Sequence, residues 1–344
     1  MSITQLFDIE LPIIQAPMAG VQDSALAIAV SNAGGLGSLP CAMLTPELLK
    51  KQLIILNQGT DKPVNLNFFC HSPPAPDVER EKGWGRALQP YYSEFSLDID
   101  AIPAGAGRAP FSAAMADVIE PFRPKVVSFH FGLPDAALLD RVRSWGSKII
   151  SSATTVEEAL WLEQQGVDAI IAQGLEAGGH RGIFLTTDMT TQAGTFALLP
   201  QVIAAVDLPV IAAGGIADAT GVKAAMAMGA AGVQLGTAYL LCDEASTSNV
   251  HRAALTAVGA EHTALTNIFS GGPARGIVNR IMREQGPMSS DAPAFPLATT
   301  AIAPLRAAAE AQNNGDFSPL WSGQNNSGCK AIPAAELTLQ LMGE

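Results

Sequence analysis

Charge is the first thing this chain has little of. Asp, Glu, Lys and Arg make up 15% of its 344 residues, against 48% hydrophobic residues. That balance excludes a disordered polyelectrolyte and a long coiled coil, and leaves enough apolar side chain for a large core. Basic residues are scarcer still, 20 against 32 acidic, for a formal net charge of −12. Neither a broad nucleic-acid footprint nor a surface for anionic membranes is expected from such a chain. No apolar run approaches the ~20 residues of a membrane-spanning helix. The opening Met1-Ser2-Ile3-Thr4-Gln5 lacks the basic stretch and apolar run of a secretory signal. Cysteine is limited to Cys41, Cys70, Cys242 and Cys329, widely spaced and without a CxxC pair. This argues against a disulfide scaffold or structural zinc and suits a reducing cytoplasm. His71, His130, His251 and His262 are scattered, no cluster has metal-ligand spacing, and no bound metal is expected. A Walker A run, HExxH and the usual dinucleotide fingerprint are also missing.

What is present is a rhythm of short apolar runs and helical segments. Strands are predicted at Ile13–Ala16, Gly34–Ser38, Val64–Phe69, Val126–Phe129, Lys148–Ser151, Asp168–Ala172, Leu208–Ala212 and Gly232–Leu235. Helices fall between most of them. Asp23 or Ser24 caps one through Asn32, Thr45-Pro46-Glu47 opens another, and Thr155 with Glu158 forms a capping-box pattern. The runs are continuously apolar, as strands covered on both faces should be. Eight such units predict a (β/α)8 TIM barrel over residues 1–241, with a doubly wound open sheet as the competing closure. A stretch at about 71–110 breaks the rhythm. It holds Pro73, Pro74, Pro76, Pro90, Pro103, Trp84, Tyr91 and Tyr92. It reads as an insertion, either covering a site or running over the surface with one short helix. Residues 242–330 read as a smaller, mostly helical second domain, with the helix Leu297–Asn313 broken at Pro304. Residues 331–344 hold a closing helix, with return to the barrel as one option.

In a barrel, chemistry gathers at the carboxyl ends of the strands. Ala16-Pro17-Met18-Ala19-Gly20 follows the first strand. Its proline fixes the backbone and its methionine offers a soft face to a flat ring, although a packed turn explains it as well. Asn67 ends the third strand and can donate and accept toward a pyrimidine-like edge, or simply form a turn. The loop from Gln173 to Gly182 carries Gly178 and Gly179, which permit close approach to a ligand, and His180, suited to proton transfer near neutral pH or to a structural bond. Gly214-Gly215 after the seventh strand and Gly236-Thr237 after the eighth predict a phosphate site. It would be made of main-chain N–H groups and a hydroxyl, with no basic patch required. The Gly107–Pro110 stretch is an option for a lid turn.

Gln15–Gly20, Asn65-Leu66-Asn67, Ser128–Pro134, Gln173–Gly182, Ala213–Ile216, Gln234–Thr237 and Pro319–Gln324 resemble, in order, the blocks of the nitronate monooxygenase (2-nitropropane dioxygenase) family. The resemblance implies one non-covalent FMN in a (β/α)8 barrel, with the smaller domain over the substrate side. Gly214, Gly215, Gly236 and Thr237 would hold its phosphate, and Ala16, Pro17 and Met18 would line its isoalloxazine. Asn67 and Gln173 would bond the ring's polar edge. Gly178, Gly179 and Ser151 (or Thr154) would contact the cofactor, and Gly323 and Gln324 would approach it from the second domain. His180 would be the catalytic residue. The implied reaction is oxidation of alkyl nitronates by O2 to carbonyl compounds and nitrite through a flavin semiquinone. Neutral nitroalkanes would follow where His180 acts as base. Tyrosines and a lysine that some members place near the substrate are not evident. Only Tyr239 lies near the rim, with Tyr91 and Tyr92 in the insertion. The expected partners are a small nitronate or nitroalkane and O2, on a monomer or loose homodimer. The alternative on this scaffold is an FMN-dependent NAD(P)H reductase of quinones or enoyl-acyl-carrier protein. Trp321-Ser322-Gly323-Gln324 and the paucity of basic residues favour the nitronate branch. A non-catalytic phosphate-ligand binder and a phosphosugar or nucleotide-precursor enzyme are readings from other classes that reuse the anion site.

Overall fold

The computed structural model describes residues 2–75, 77–101 and 108–343. Pro76, Pro103 and Gly107 of the proline-rich insertion lie outside the described residues.

Strands are numbered in chain order: β1 Ile13–Gln15, β2 Gly37–Pro40, β3 Val64–Phe69, β4 Val126–His130, β5 Lys148–Ala153, β6 Ala169–Gln173, β7 Gly179–His180, β8 Val210–Ala213, β9 Gly232–Leu235, β10 Thr263–Thr266 and β11 Ala274–Ile277. β1 to β6, β8 and β9 run parallel in one sheet, with β9 returning to β1 through Ile13↔Val233. A parallel bridge, Ile14↔Leu36, joins β1 to the approach of β2. That closure makes the sheet a (β/α)8 barrel and not an open doubly wound sheet.

Side chains alternate across each strand, and the alternation divides the core. Ile13, Leu66, Phe68, Val127, Phe129, Ile149, Ile170, Val210 and Val233 face the surrounding helices in the main cluster. Ile14, Val126, Ile150, Ile171 and Ile211 point inward into a separate cluster, closed below by Ile3 and Phe7 of an N-terminal helix, Ile3–Phe7. The barrel helices begin where short polar side chains accept first-turn amides, at Asp23, Thr45, Ser112, Asp135, Thr155 and Asp218.

The insertion contains a helix of 17 residues, Val78–Glu94, longer than the sequence suggests. Its Trp84, Leu88, Tyr91 and Tyr92 pack with Ile302, Leu305 and Phe317 in a second apolar cluster. The insertion therefore packs with the tail of the chain. The helix Ala298–Glu310 runs unbroken through Pro304. Proline removes one intrahelical bond, but burial of Ile302, Leu305 and Ala309 on one face outweighs that loss. The tail also holds strands. β10 pairs antiparallel with β11, and β11 with β7 (Ala274↔His180), so a piece of the barrel loop completes a three-stranded sheet with the tail. Leu337 and Leu341 of the closing segment are buried in the barrel's main cluster. Among the described residues no helix is long and apolar enough to cross a membrane.

Candidate active site

The same alternation decides what reaches the mouth of the barrel. Asn67 and Phe69 of β3, Ser128 and His130 of β4, Ser152 of β5, Gln173 of β6, Ala213 of β8 and Gln234 of β9 all line one cavity. The loops add Ala16, Pro17, Met18, Gly178, Gly179, His180, Gly214, Gly215, Gly236, Thr237 and Gly323. Three residues named from the sequence are not among the lining: Ser151, its alternative Thr154, whose buried hydroxyl donates to Glu158 at 2.7 Å, and Gln324. Ser151 points outward, and its hydroxyl donates to Phe129 O (3.1 Å) and Gly132 O (2.9 Å). Its neighbour Ser152 faces the cavity because adjacent strand residues face opposite ways. Gln324 is exposed and only its main chain is tied, N–H to Glu176 O at 3.0 Å, while Gly323 and Asn325 on either side line the cavity.

One end of the cavity is main chain. β8 and β9 are in register at Ala213↔Gln234, which sets Gly214-Gly215 beside Gly236-Thr237. Gly214 has φ +114°, and a Cβ there would lie 2.9 Å from Thr195 Oγ1 and 3.1 Å from Ala177 N, so only glycine fits. Thr237 Oγ1 accepts the Gly323 N–H (2.9 Å), which leaves its own O–H to donate. The helix Thr195–Ala205 has Gly194 at its cap, and Glu176 supplies the missing acceptor to Thr195 N–H at 2.8 Å and 3.0 Å. Gly178 serves packing: a Cβ would meet Gly323 N at 2.5 Å. The Ala16–Met18 turn is held by Gln22, whose Oε1 accepts Met18 N–H at 2.9 Å.

The other end surrounds His180. Pairing of β7 with β11 fixes its backbone. Gln173 donates Nε2 to His180 O (3.0 Å) and accepts Gly182 N–H (2.7 Å), so most of its amide is spent on the loop. Arg181, fully buried, donates to Gln173 O (2.6 Å), Gly174 O (2.5 Å) and Gln192 Oε1 (3.0 Å). Arg181 and Glu176, chemically prominent in the sequence, thus shape the loop and leave the cavity chemistry to others. The His180 Nε2 lies 2.8 Å from Ser270 Oγ. The rings of Phe295 (5.1 Å), Trp321 (5.4 Å), Phe131 (6.2 Å) and Phe69 (6.3 Å) surround its imidazole. Burial first, and then the charge of Arg108, hold His180 well below the ordinary histidine range.

His130, Ser152, His251, Trp321 and Arg108 line the cavity as well. None was singled out from the sequence as a site residue. His130 carried a usable signal, since it closes β4 on the inward parity. Its Nε2 lies 3.2 Å from His180 O. A carbonyl only accepts, so Nε2 carries the proton and Nδ1 accepts from Ser152 Oγ at 3.1 Å. Burial depresses both His130 and His251 to about 4. The histidines are scattered in sequence, yet three of the five meet here. The tyrosines do not. Tyr239 is buried in the barrel cluster with its hydroxyl on Thr338, and Tyr91 and Tyr92 are buried in the second cluster.

The whole chain has close counterparts. The family model described as nitronate monooxygenase matches residues 1–344. A Pseudomonas aeruginosa protein named nitronate monooxygenase is 41% identical over 346 residues, covering 99% of this chain and 98% of its own. A Paraburkholderia phytofirmans protein of the same name is 40% identical, covering 100% of this chain and 94% of its own. Among solved structures, nitroalkane oxidase from Streptomyces ansochromogenes has a TM-score of 0.91 at 38% identity, covering 100% of this chain and 97% of that one. FabK from Thermotoga maritima has a TM-score of 0.72 at 27% identity, covering 100% and 95%. Barrel, cavity and full-length similarity agree, and the protein belongs to the nitronate monooxygenase family.

Proposed function

We propose that this chain is an FMN-dependent enzyme that oxidises alkyl nitronates with O2 to carbonyl compounds and nitrite. One observation carries the reading: a single cavity is lined by a cradle of main-chain amides with one hydroxyl, Thr237, and by the His180 imidazole in an aromatic cage. The residues present suit a flavin. Gly214, Gly215, Gly236 and Thr237, with Gly179 beside them, would receive its phosphate; Gly178 carries Gly323 across the cradle's edge. Ala16, Pro17 and Met18 offer an apolar face for its ring. Asn67 donates to Ser128 Oγ at 2.9 Å, which leaves its carbonyl oxygen for a ring N–H. Gln234 Oε1 is buried in the wall without a hydrogen-bond partner among the described residues, and a buried acceptor of that kind calls for a donor. Gln173 has one amide hydrogen left to contribute. When bound, FMN supplies the electron acceptance and the reaction with O2.

The chain's own residues orient the substrate and control its proton. Phe69, Phe131, Phe295 and Trp321 exclude water from the space beside His180. His180 is neutral near pH 7, and its depressed basicity makes it a weak base toward a carbon acid. The site therefore suits a substrate that arrives already deprotonated, with His180 donating a hydrogen bond to it. We read the 242–330 segment, together with the helix Val78–Glu94, as the unit that covers this end. The test is oxygen uptake and nitrite release by the purified yellow protein given an alkyl nitronate, NADH or NADPH. Turnover is expected with the nitronate. Rapid flavin bleaching by a pyridine nucleotide, with no turnover of nitronate, would place the chain among the reductases.

A further inference from the structure

Within the function proposed above, on which this inference rests, one cavity residue has no assigned task. Arg108 is the only lysine or arginine lining the cavity among the described residues. Its guanidinium has five donors. One of them, Nη1, reaches Thr299 Oγ1 at 2.9 Å. Among the described residues it has no carboxylate within ion-pair distance, whereas Arg141, Arg143, Arg280 and Arg306 each have one. Arg108 is half-buried, and a charge partly withdrawn from water without a counter-ion is costly. The face of Phe295 offsets part of that cost, with the Arg108 Cζ 5.9 Å from its ring centroid, whereas Arg306 adds a like charge nearby. The same ring meets the site, since Phe295 is 5.1 Å from the His180 ring. Arg108 and His180 thus share one aromatic side chain, and tyrosine hydroxyls do not reach this end of the cavity.

We propose that Arg108 is the anion receptor of the active site, a specificity-determining residue that binds the two coplanar oxygens of the nitronate and selects the anion over the neutral nitroalkane. A guanidinium presents two parallel N–H groups that match a planar two-oxygen anion, and the pairing strengthens where water is excluded. Substrate binding supplies the counter-charge that the fold leaves out. A neutral nitroalkane carries no net charge to offset Arg108, so it gains much less from the same contact.

The test uses the holoenzyme and the variants Arg108→Met and Arg108→Lys, with thermal melts to confirm folding. Two measurements are made. One is steady-state turnover of propyl-2-nitronate and of neutral 2-nitropropane. The other is calorimetric binding of isobutyrate, an inert carboxylate of similar size that shares the planar two-oxygen head of the nitronate. For Arg108→Met the expected result is a KM for the nitronate raised about 10- to 100-fold. Turnover of the neutral compound should not fall, because losing the Arg108 charge lifts part of the depression on His180, and isobutyrate binding should be lost. Arg108→Lys should recover part of the nitronate KM, because it keeps the charge without the fork. The inference is overturned if Arg108→Met leaves the nitronate KM within threefold of the parent, impairs both substrates equally, or binds isobutyrate as the parent does. If the parent turns over no nitronate, the function proposed above fails, while the carboxylate titration still decides whether Arg108 receives a planar anion.

Discussion

At the scale of single residues, the adjacent serines of β5 separate two kinds of work. Ser152 faces the cavity and donates to His130, which in turn holds the carbonyl of His180. Ser151 faces outward, fully buried, and ties the end of β4 to Gly132. Ser151→Ala is expected to cost about 1 kcal/mol of stability, the net worth of a buried hydroxyl's bonds, and to leave KM and flavin content unchanged. Ser152→Ala is expected to cost a comparable amount of stability and, unlike Ser151→Ala, to lower kcat/KM severalfold, since His130 loses its orienting donor. Denaturation curves and steady-state rates on the two variants check this; the reverse assignment would mean that the strand's parity is misread. The sequence-based choice of Ser151 missed by one position. A run such as Lys148-Ile149-Ile150-Ser151 is apolar on both faces and carries no alternation from which to read the inward side. Asn67, at the carboxyl end of β3, is a polar residue whose sequence allows a ligand contact or a turn, and it lines the cavity.

At the scale of elements, the loops above the barrel are braced by charged side chains. Thr155 Oγ1 accepts Glu158 N–H at 3.2 Å, as a helix cap should. The Glu158 carboxylate does not complete the reciprocal box. It accepts from Thr154 N–H and Oγ1 (2.7 Å each), and its other oxygen takes the amides of Phe184 (2.6 Å) and Leu185 (3.3 Å). One fully buried carboxylate therefore joins the start of a barrel helix to the loop that follows His180. Glu158→Ala is expected to destabilise the protein by about 3 kcal/mol, because several charge-assisted bonds are lost and buried amides are left unpaired. Faster hydrogen exchange at Phe184 and Leu185 is the accompanying sign. The local pattern Thr155-x-x-Glu158 announced a helix start correctly; the second half of the carboxylate's role depends on a loop 26 residues away.

At the scale of the whole molecule, buried histidines couple stability to pH. His130 and His251 are held at about 4 against an ordinary value of 6.5. Between those values the unfolded chain binds protons that the folded chain does not, so unfolding becomes easier as pH falls. This contribution is fully present above pH 6.5 and is lost on descending toward pH 4, by up to about 1.4 kcal/mol per pH unit for each histidine. Urea midpoints at pH 7.5, 6 and 5 are expected to decline accordingly, and His251→Gln to reduce the slope. A midpoint independent of pH across that window would contradict the burial assigned to both rings.

The eight strand–helix units and the glycines that follow β8 and β9 were determined by the sequence alone, whereas closure into a barrel was decided by the pairing of β9 with β1. The units arise from local periodicity and from capping residues, and the glycines from backbone angles that admit little else. The company of His180 was decided only in three dimensions. Ser270, Trp321, His251 and Phe295 come from the tail, His130 from β4, and Arg108 from the insertion that also holds the helix Val78–Glu94. No periodic pattern links residues so far apart. They converge because β7 pairs with β11, and because the apolar face of the helix Val78–Glu94 packs against that of the tail.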